Sequence, residues 1–289
     1  MNETLSAEQS EFVKFWNEIL VPKFVRWKHV LVGGLSHHSD AIFPRLEVHA
    51  GERVLDAGAG FGDTACMLAE RVGSTGKVVA MDCCDAFLDD GRKEAAGKGL
   101  RNVDFVVGDV ERYAFNGDFD LVFSRFGTMF FSNPVAAMKN MRRALKPGGR
   151  MIHIVWRERA DNPWLNAAKD VVLQHLPQPG DDARTCGPGP FSMADQGLVT
   201  AQMKAAGFED ICFERVDANV RMGDSVDDSI GFQMALGPAG EVVREAGELA
   251  QQHEAAIRAD LTELLRPHVT EDGVWMASSS WVISARNPG

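Results

Sequence analysis

"LDAGAGFGDT", residues 55–64, sets Gly58, Gly60 and Gly62 at alternate positions directly after an apolar run. Glycine there permits backbone angles that other residues avoid and leaves the main chain bare to a ligand. Amides at the start of a following helix favour an anionic or strongly polar group. The residues on either side decide what such a turn holds. Upstream, "RVLDA" reads as a short strand, and downstream "DTACMLAERV" reads as a helix ending at Gly73. Strand and helix signals then alternate: "KVVAMD", helix "DAFLDDGRKEAAGK", "VDFVVGD", "FDLVFSRF", a helix capped by Asn133 with Pro134 in its first turn, and "RMIHIVW". That helix keeps Val135, Met138, Met141 and Leu145 at helical spacing and stops at "KPGG". Continuous apolar strands separated by helices predict a parallel sheet covered on both faces.

Carboxylates close the next two strands. Asp82 follows the glycine turn by about 20 residues, where it could accept both hydroxyls of a ribose. Asp109, in "VVGDVERY", is positioned to accept from an exocyclic amine, and the fourth strand closes on Ser124-Arg125. All lie at the carboxyl ends of parallel strands, the edge where open α/β sheets bind ligands. A strand-end aspartate is often only a helix cap; their joint occurrence on successive strands points to a nucleoside. The nicotinamide fingerprint G-x-G-x-x-G is not met, because Asp63 stands where its third glycine would be. The sole tyrosine, Tyr113, has Gly117 four residues on, so no Tyr-x-x-x-Lys pair supports hydride transfer.

The whole-chain balance narrows the classes further. A net charge of −11 excludes a basic nucleic-acid footprint, so neither DNA nor RNA is expected as a partner. No apolar stretch approaches the roughly 20 residues that span a bilayer, and "MNETLSAEQSEF" lacks signal-peptide character, so a cytoplasmic protein without membrane partners is expected. Five cysteines (Cys66, Cys83, Cys84, Cys186, Cys212) form no C-x-x-C pair, which suits reduced thiols and no metal site.

Taken together these residues resemble the class I S-adenosylmethionine-dependent methyltransferases, in particular the small-molecule group like the ubiquinone/menaquinone C-methyltransferases. The resemblance covers roughly residues 50 to 156, with a weaker echo in the last two strands. "VLDAGAGFGDTA", "VVAMDCCDAFL", "VVGDVERYAF" and the run from "FDLVFSRFGTMFF" to "LKPGGRMIHIVW" carry it. Two departures are Ala59 within the turn and the pair Cys83-Cys84 after the acidic strand end. The resemblance implies an α/β, Rossmann-like, seven-stranded, mostly parallel sheet with helices on both faces, its last strand antiparallel, and a mainly helical lid. It implies S-adenosyl-L-methionine as cofactor: Gly58 and Gly60 approaching its methionine part, Asp56 organising that turn, Asp82 on the ribose beside Cys83. Asp109 would meet the adenine amine and Val110 the ring. Ser124, through its backbone, would face the amino end, and Arg125 and Phe126 would line the route to the methyl. No metal is implied. The same cradle could serve hydrolysis, decarboxylation, elimination or non-catalytic nucleoside binding.

The expected division is a helical lid segment at 1–50, a cofactor-binding core at 51–156, a lid loop at 157–192, core again at 193–223, a helical lid insertion at 224–272 and a final core strand at 273–289. Phe12, Phe15, Trp16, Ile19, Leu20 and Phe24 give the first segment one apolar face, and "VGGLSHHSD" breaks it. Such a lid would enclose a small-molecule methyl acceptor, and it could also build a homodimer. His37 and His38, in that break, are the candidates for a general base, with a plain solvent-exposed loop pair as the alternative. His153, inside the fifth strand, is expected to be a core histidine with its hydrogen bonds met. The acidic composition favours a neutral or cationic acceptor over a polyanion.

Overall fold

In β1 (Arg53–Ala57), Val54, Leu55 and Ala57 are completely buried, as befits a strand covered on both faces. The computed structural model, which describes residues 11–180, 183 and 187–289, places β1 at the centre of one sheet. Cys186 lies outside the described residues, as does the side chain of Phe12.

Before β1 come α1 (Glu11–Phe15), α2 (Val21–Arg26) and α3 (Ser36–Ile42), joined by wider π-helical turns at Trp16–Leu20 and His29–Gly34. The expected break at "VGGLSHHSD" is therefore corrected, because the chain stays helical through both glycines. The reason is tertiary: a side chain on Gly34 would run into the Arg221 carbonyl.

After β1 follow α4 (Asp63–Val72), β2 (Lys77–Asp82), α5 (Asp85–Gly97), β3 (Val103–Val107), β4 (Phe119–Arg125), α6 (Pro134–Ala144) and β5 (Leu145–Trp156). Asn133 caps α6, its side chain accepting from the Ala136 N–H at 3.1 Å. "LKPGG" belongs to β5 and does not merely stop the helix: Leu145 pairs with Phe119, and a register shift before Leu121 absorbs the irregularity.

The chain continues with α7 (Pro163–Val172), α8 (Gln196–Ala205), β6 (Glu209–Gly223), α9 (Val226–Ala235), α10 (Gly237–Ala246), α11 (Glu248–Leu265), the two-residue β7 (Val269–Thr270) and β8 (Gly273–Arg286). The main sheet runs β3-β2-β1-β4-β5-β8-β6, with β7 folded onto β8. β1 to β5 pair in parallel, and β8 is antiparallel to both β5 and β6. The expected mostly parallel α/β sheet of seven main strands, with a reversed last strand, is what forms.

Alternation along the strands sorts the core into two layers. Val54, Leu121 and Ile152 pack with α4 and α5 residues Leu68 and Leu88. Leu55, Val122 and Met151 pack with Met138 of α6 and Met203 of α8. His153 is buried among the second layer, but neither ring nitrogen has a hydrogen-bond partner, so the expected satisfied histidine is corrected. Burial pushes its pKa down to about 3.

Three pieces outside the sheet meet one another over the carboxyl ends of β4 and β5. Lys23 Nζ on α2 donates to the Ala235 carbonyl at 3.0 Å, and Gln233 Nε2 on α9 donates to the Trp164 carbonyl at 2.6 Å. Among the described residues no helix is long and apolar enough to cross a membrane.

Candidate functional site

The turn after β1 is held from behind. The Gly58 and Ala59 N–H groups donate to the Met81 carbonyl at 2.9 and 3.0 Å, which ties the turn to the end of β2. Gly58, Gly60 and Gly62 take φ of 71°, 53° and 78°, a region costly for any side-chain-bearing residue. Asp82, closing β2, accepts the Gly60 N–H on Oδ2 and the Cys84 N–H on Oδ1, both at 2.9 Å. Burial raises the pKa of this carboxyl, and these backbone donors pull it back.

A cavity of about 170 Å³ opens at this edge, and Gly58, Gly60, Asp82, Cys83, Asp109, Val110 and Arg125 all line it. Seven of the nine cofactor candidates read from the sequence are thus brought together. Two are not. Asp56 is fully buried beneath the turn, accepting from Thr64 Oγ1 at 2.7 Å, while its other oxygen has no partner. Burial pushes its pKa up to about 7. Its position suits bracing the turn and not touching a ligand. Ser124 is also fully buried, its Oγ donating to the Ala57 carbonyl at 2.7 Å, so it lies behind the cavity and not on its wall.

Arg125 does more than line a route. Its guanidinium reaches Asp63 Oδ2 and Ser39 Oγ, each at 2.6 Å, and both side chains of the ion pair are mostly buried. The bridge links β4, the start of α4 and α3. Next along, Phe126 holds a φ of 58°, rare outside glycine, and stacks on Trp156 with centroids 3.8 Å apart and planes 12° from parallel. Such strain persists only where the surroundings enforce it.

A second cavity, of about 520 Å³, adjoins the first and shares Trp16, Phe24, Leu31, Leu35, Phe126 and Phe130 with it. Phe131 lines only the first and Trp156 only the second. The N-terminal helices therefore supply four of the six shared residues. The apolar face of that segment was visible in the sequence, but periodicity alone does not tell a core face from a cavity wall.

The candidate base is corrected by the geometry. His38 is neither exposed nor in a loop: it is fully buried in α3, with Nε2 2.7 Å from Ser278 Oγ and Nδ1 3.0 Å from Ser280 Oγ. Burial, reinforced by the Arg125 charge, pushes its pKa down to about 4. His37 packs edge-on against Trp275 at 4.8 Å, and neither histidine lines a cavity.

A mostly parallel sheet with a reversed final strand, and a cavity at its glycine turn, is the arrangement of the Rossmann-like methyltransferase class. A family model described as a methyltransferase domain matches residues 54–149. A ubiquinone/menaquinone biosynthesis C-methyltransferase of Ectopseudomonas mendocina is 32% identical over 209 residues, covering 68% of this chain and 81% of that one. Its counterpart in Coxiella burnetii is 30% identical over 191 residues, covering 63% and 76%. Among solved structures, a phosphoethanolamine N-methyltransferase 2 of Haemonchus contortus, in complex with S-adenosyl-L-methionine, matches with a TM-score of 0.58 at 18% identity, covering 96% of this chain and 60% of that one. A putative methyltransferase of Bacillus halodurans matches at 0.55 and 20%, covering 89% and 100%. The chain belongs to the class I S-adenosylmethionine-dependent methyltransferases.

The residues present fit that cofactor. A Cβ on Gly60 would meet nothing within 4 Å, so the main chain there fronts open cavity, while one on Gly58 would crowd Gly127 Cα at 3.3 Å. Asp82 takes the Gly60 N–H on one oxygen and the Cys84 N–H on the other, and it lines the cavity as an acceptor within reach of a vicinal diol.

Proposed function

We propose that this methyltransferase acts on a small, largely apolar organic molecule seated in the larger cavity, with the cofactor in the smaller one. The observation that carries the proposal is the wall common to both, in which Phe126 and Phe130 face either side. S-adenosylmethionine supplies a methyl group on a sulfonium, a carbon already activated for in-line displacement. Asp82 would hold the ribose hydroxyls and Asp109 the adenine amine, with Val110 and Cys83 beside the ring. Gly58 and Gly60 leave room for the methionine part.

The protein's work is alignment and exclusion of water. Trp16, Phe24 and Phe130 enclose the junction, and their ring faces attract a sulfonium cation. The Arg125–Asp63 pair fixes the floor of the site and pins α3 over it. With both histidines outside the cavities, no side-chain base is assigned. The described residues of 11–50, 157–192 and 224–272 serve as the lid, and the same lid is the surface on which a homodimer would form. The free described thiols Cys66, Cys83, Cys84 and Cys212 suit a reducing compartment such as the cytoplasm.

The test is the stoichiometry of S-adenosylhomocysteine to methylated product, with isotopically labelled methyl, over a panel of small aromatic and aliphatic acceptors. One-to-one appearance is expected. Product formed without consumption of the label would mean that the same fold and cofactor run other chemistry.

A further inference from the structure

The larger cavity has a charge pattern that the chain as a whole does not. Its floor is a run of rings: Trp156 meets Trp164 edge-on at 5.1 Å, and Trp164 lies parallel to Phe232 at 6.4 Å. Among the described residues four cationic side chains line it, Lys23, Arg159, Lys169 and Arg244, against the carboxylate of Glu241, and Arg244 is ion-paired with Glu245. The chain carries a net charge of −11. Among the described residues the lining is therefore richer in cations than the chain as a whole.

Lys169 is the informative member. It sits four residues after Leu165 on α7, so the two share a helix face, and both line the cavity. Half-buried, its ammonium makes no hydrogen bond or ion pair among the described residues. Lys23 already gives one bond to the Ala235 carbonyl, and the Arg159 guanidinium lies over the Phe191 ring at 4.9 Å. An ammonium held beside apolar walls without a counter-charge is best matched by an anion that arrives with the ligand.

Resting on the two-cavity reading above, we infer that the methyl acceptor is an aromatic acid: a ring system that stacks along Trp156, Trp164 and Phe232, with its carboxylate or equivalent anionic oxygen group on Lys169. The net charge pointed to a neutral or cationic acceptor, but the charge that an enclosed ligand meets is the local one. The anionic group anchors one end and the ring length sets which atom reaches the wall shared with the cofactor.

The test uses two fluorescent probes with the same ring body, 1-anilinonaphthalene-8-sulfonate and its neutral analogue N-phenyl-1-naphthylamine, titrated into the full chain with S-adenosylhomocysteine bound. The anionic probe should bind at least about tenfold tighter. Lys169→Met should remove most of that preference and leave the affinity for the neutral probe and for S-adenosylhomocysteine unchanged. Lys169→Arg should restore it, and Lys204→Met, at an exposed position, should not affect it. Equal affinity for the two probes, or a preference that survives Lys169→Met, overturns the inference while leaving the methyltransferase reading intact. Failure of S-adenosylhomocysteine to bind at all would instead strike at the cofactor site beneath it.

Discussion

Replacing His38 by alanine separates a structural histidine from a catalytic one. Ser278 Oγ donates to the Ala218 carbonyl, so its proton is committed and His38 Nε2 must be the donor to it. Nδ1 is then the acceptor, taken by Ser280 Oγ at 3.0 Å. No lone pair is left for a substrate proton. His38→Ala removes two buried hydrogen bonds, about 1 kcal/mol each. It also removes a ring packed edge-on against Trp156 at 5.1 Å and Phe126 at 5.9 Å, costing about 1–2 kcal/mol more through the space left. A loss of about 3–4 kcal/mol should lower Tm by roughly 10 °C in a chain of this size. Scanning calorimetry reads that loss, and S-adenosylhomocysteine release per folded molecule, measured well below the new Tm, reads turnover. Turnover should stay within a few-fold of the parent. An unchanged Tm with turnover down about 100-fold or more, the usual effect of removing a general base, would refute the structural role.

Asp82→Ala should weaken S-adenosylhomocysteine binding by about 1–3 kcal/mol, read by titration calorimetry, because charge-assisted hydrogen bonds are lost. Arg125→Ala should destabilise by about 3 kcal/mol or more, leaving the Asp63 carboxylate buried and unpaired, whereas the Arg125→Ala, Asp63→Ala double variant should recover part of that loss in urea unfolding. The pH dependence of stability follows from three buried groups. His38 and His153 titrate at about 4 and about 3 in the fold against 6.5 when unfolded, so stability present above pH 6.5 is lost as pH falls through those values. Asp56 acts oppositely: raised from 3.8 to about 7, its contribution is full below 3.8 and fades as pH rises through about 7. The two histidines outweigh it, so the net acid limb should fall with decreasing pH. His153→Leu, which removes two unpartnered buried nitrogens, should raise Tm at pH 7 and flatten that limb.

The alternating strands and helices from Arg53 to Trp156 were legible because each strand is apolar throughout and each helix has its own punctuation, such as Gly73 after α4 and Asn133 before α6. The cofactor cradle was legible for a related reason: strand ends in a parallel sheet converge on one edge, so Gly58, Asp82 and Asp109 must meet. What escaped depended on contacts distant in sequence. Gly33-Gly34 read as a break, yet Gly34 is there to let a helical turn press on β6. His38 read as a loop histidine, a base candidate or one of an exposed pair, because its serine partners lie 240 and 242 residues away. Ser124 sat at the right strand end, but the inward rotation of its side chain toward Ala57 is a matter of register. The lid's apolar stripe was seen, and its use as a cavity wall was not, since both ask for the same residues.

The pairing of α3 with β8 also bears on how the molecule is made. Translation delivers the roofing helices well before the serines that clasp His38, which follow 240 and 242 residues later. Until Ser278 and Ser280 leave the ribosome, Phe15, Leu20, Trp27 and Val30 have no finished surface to rest on. The nascent polypeptide thus carries an unshielded greasy stretch until those residues emerge, a natural client for holdase chaperones.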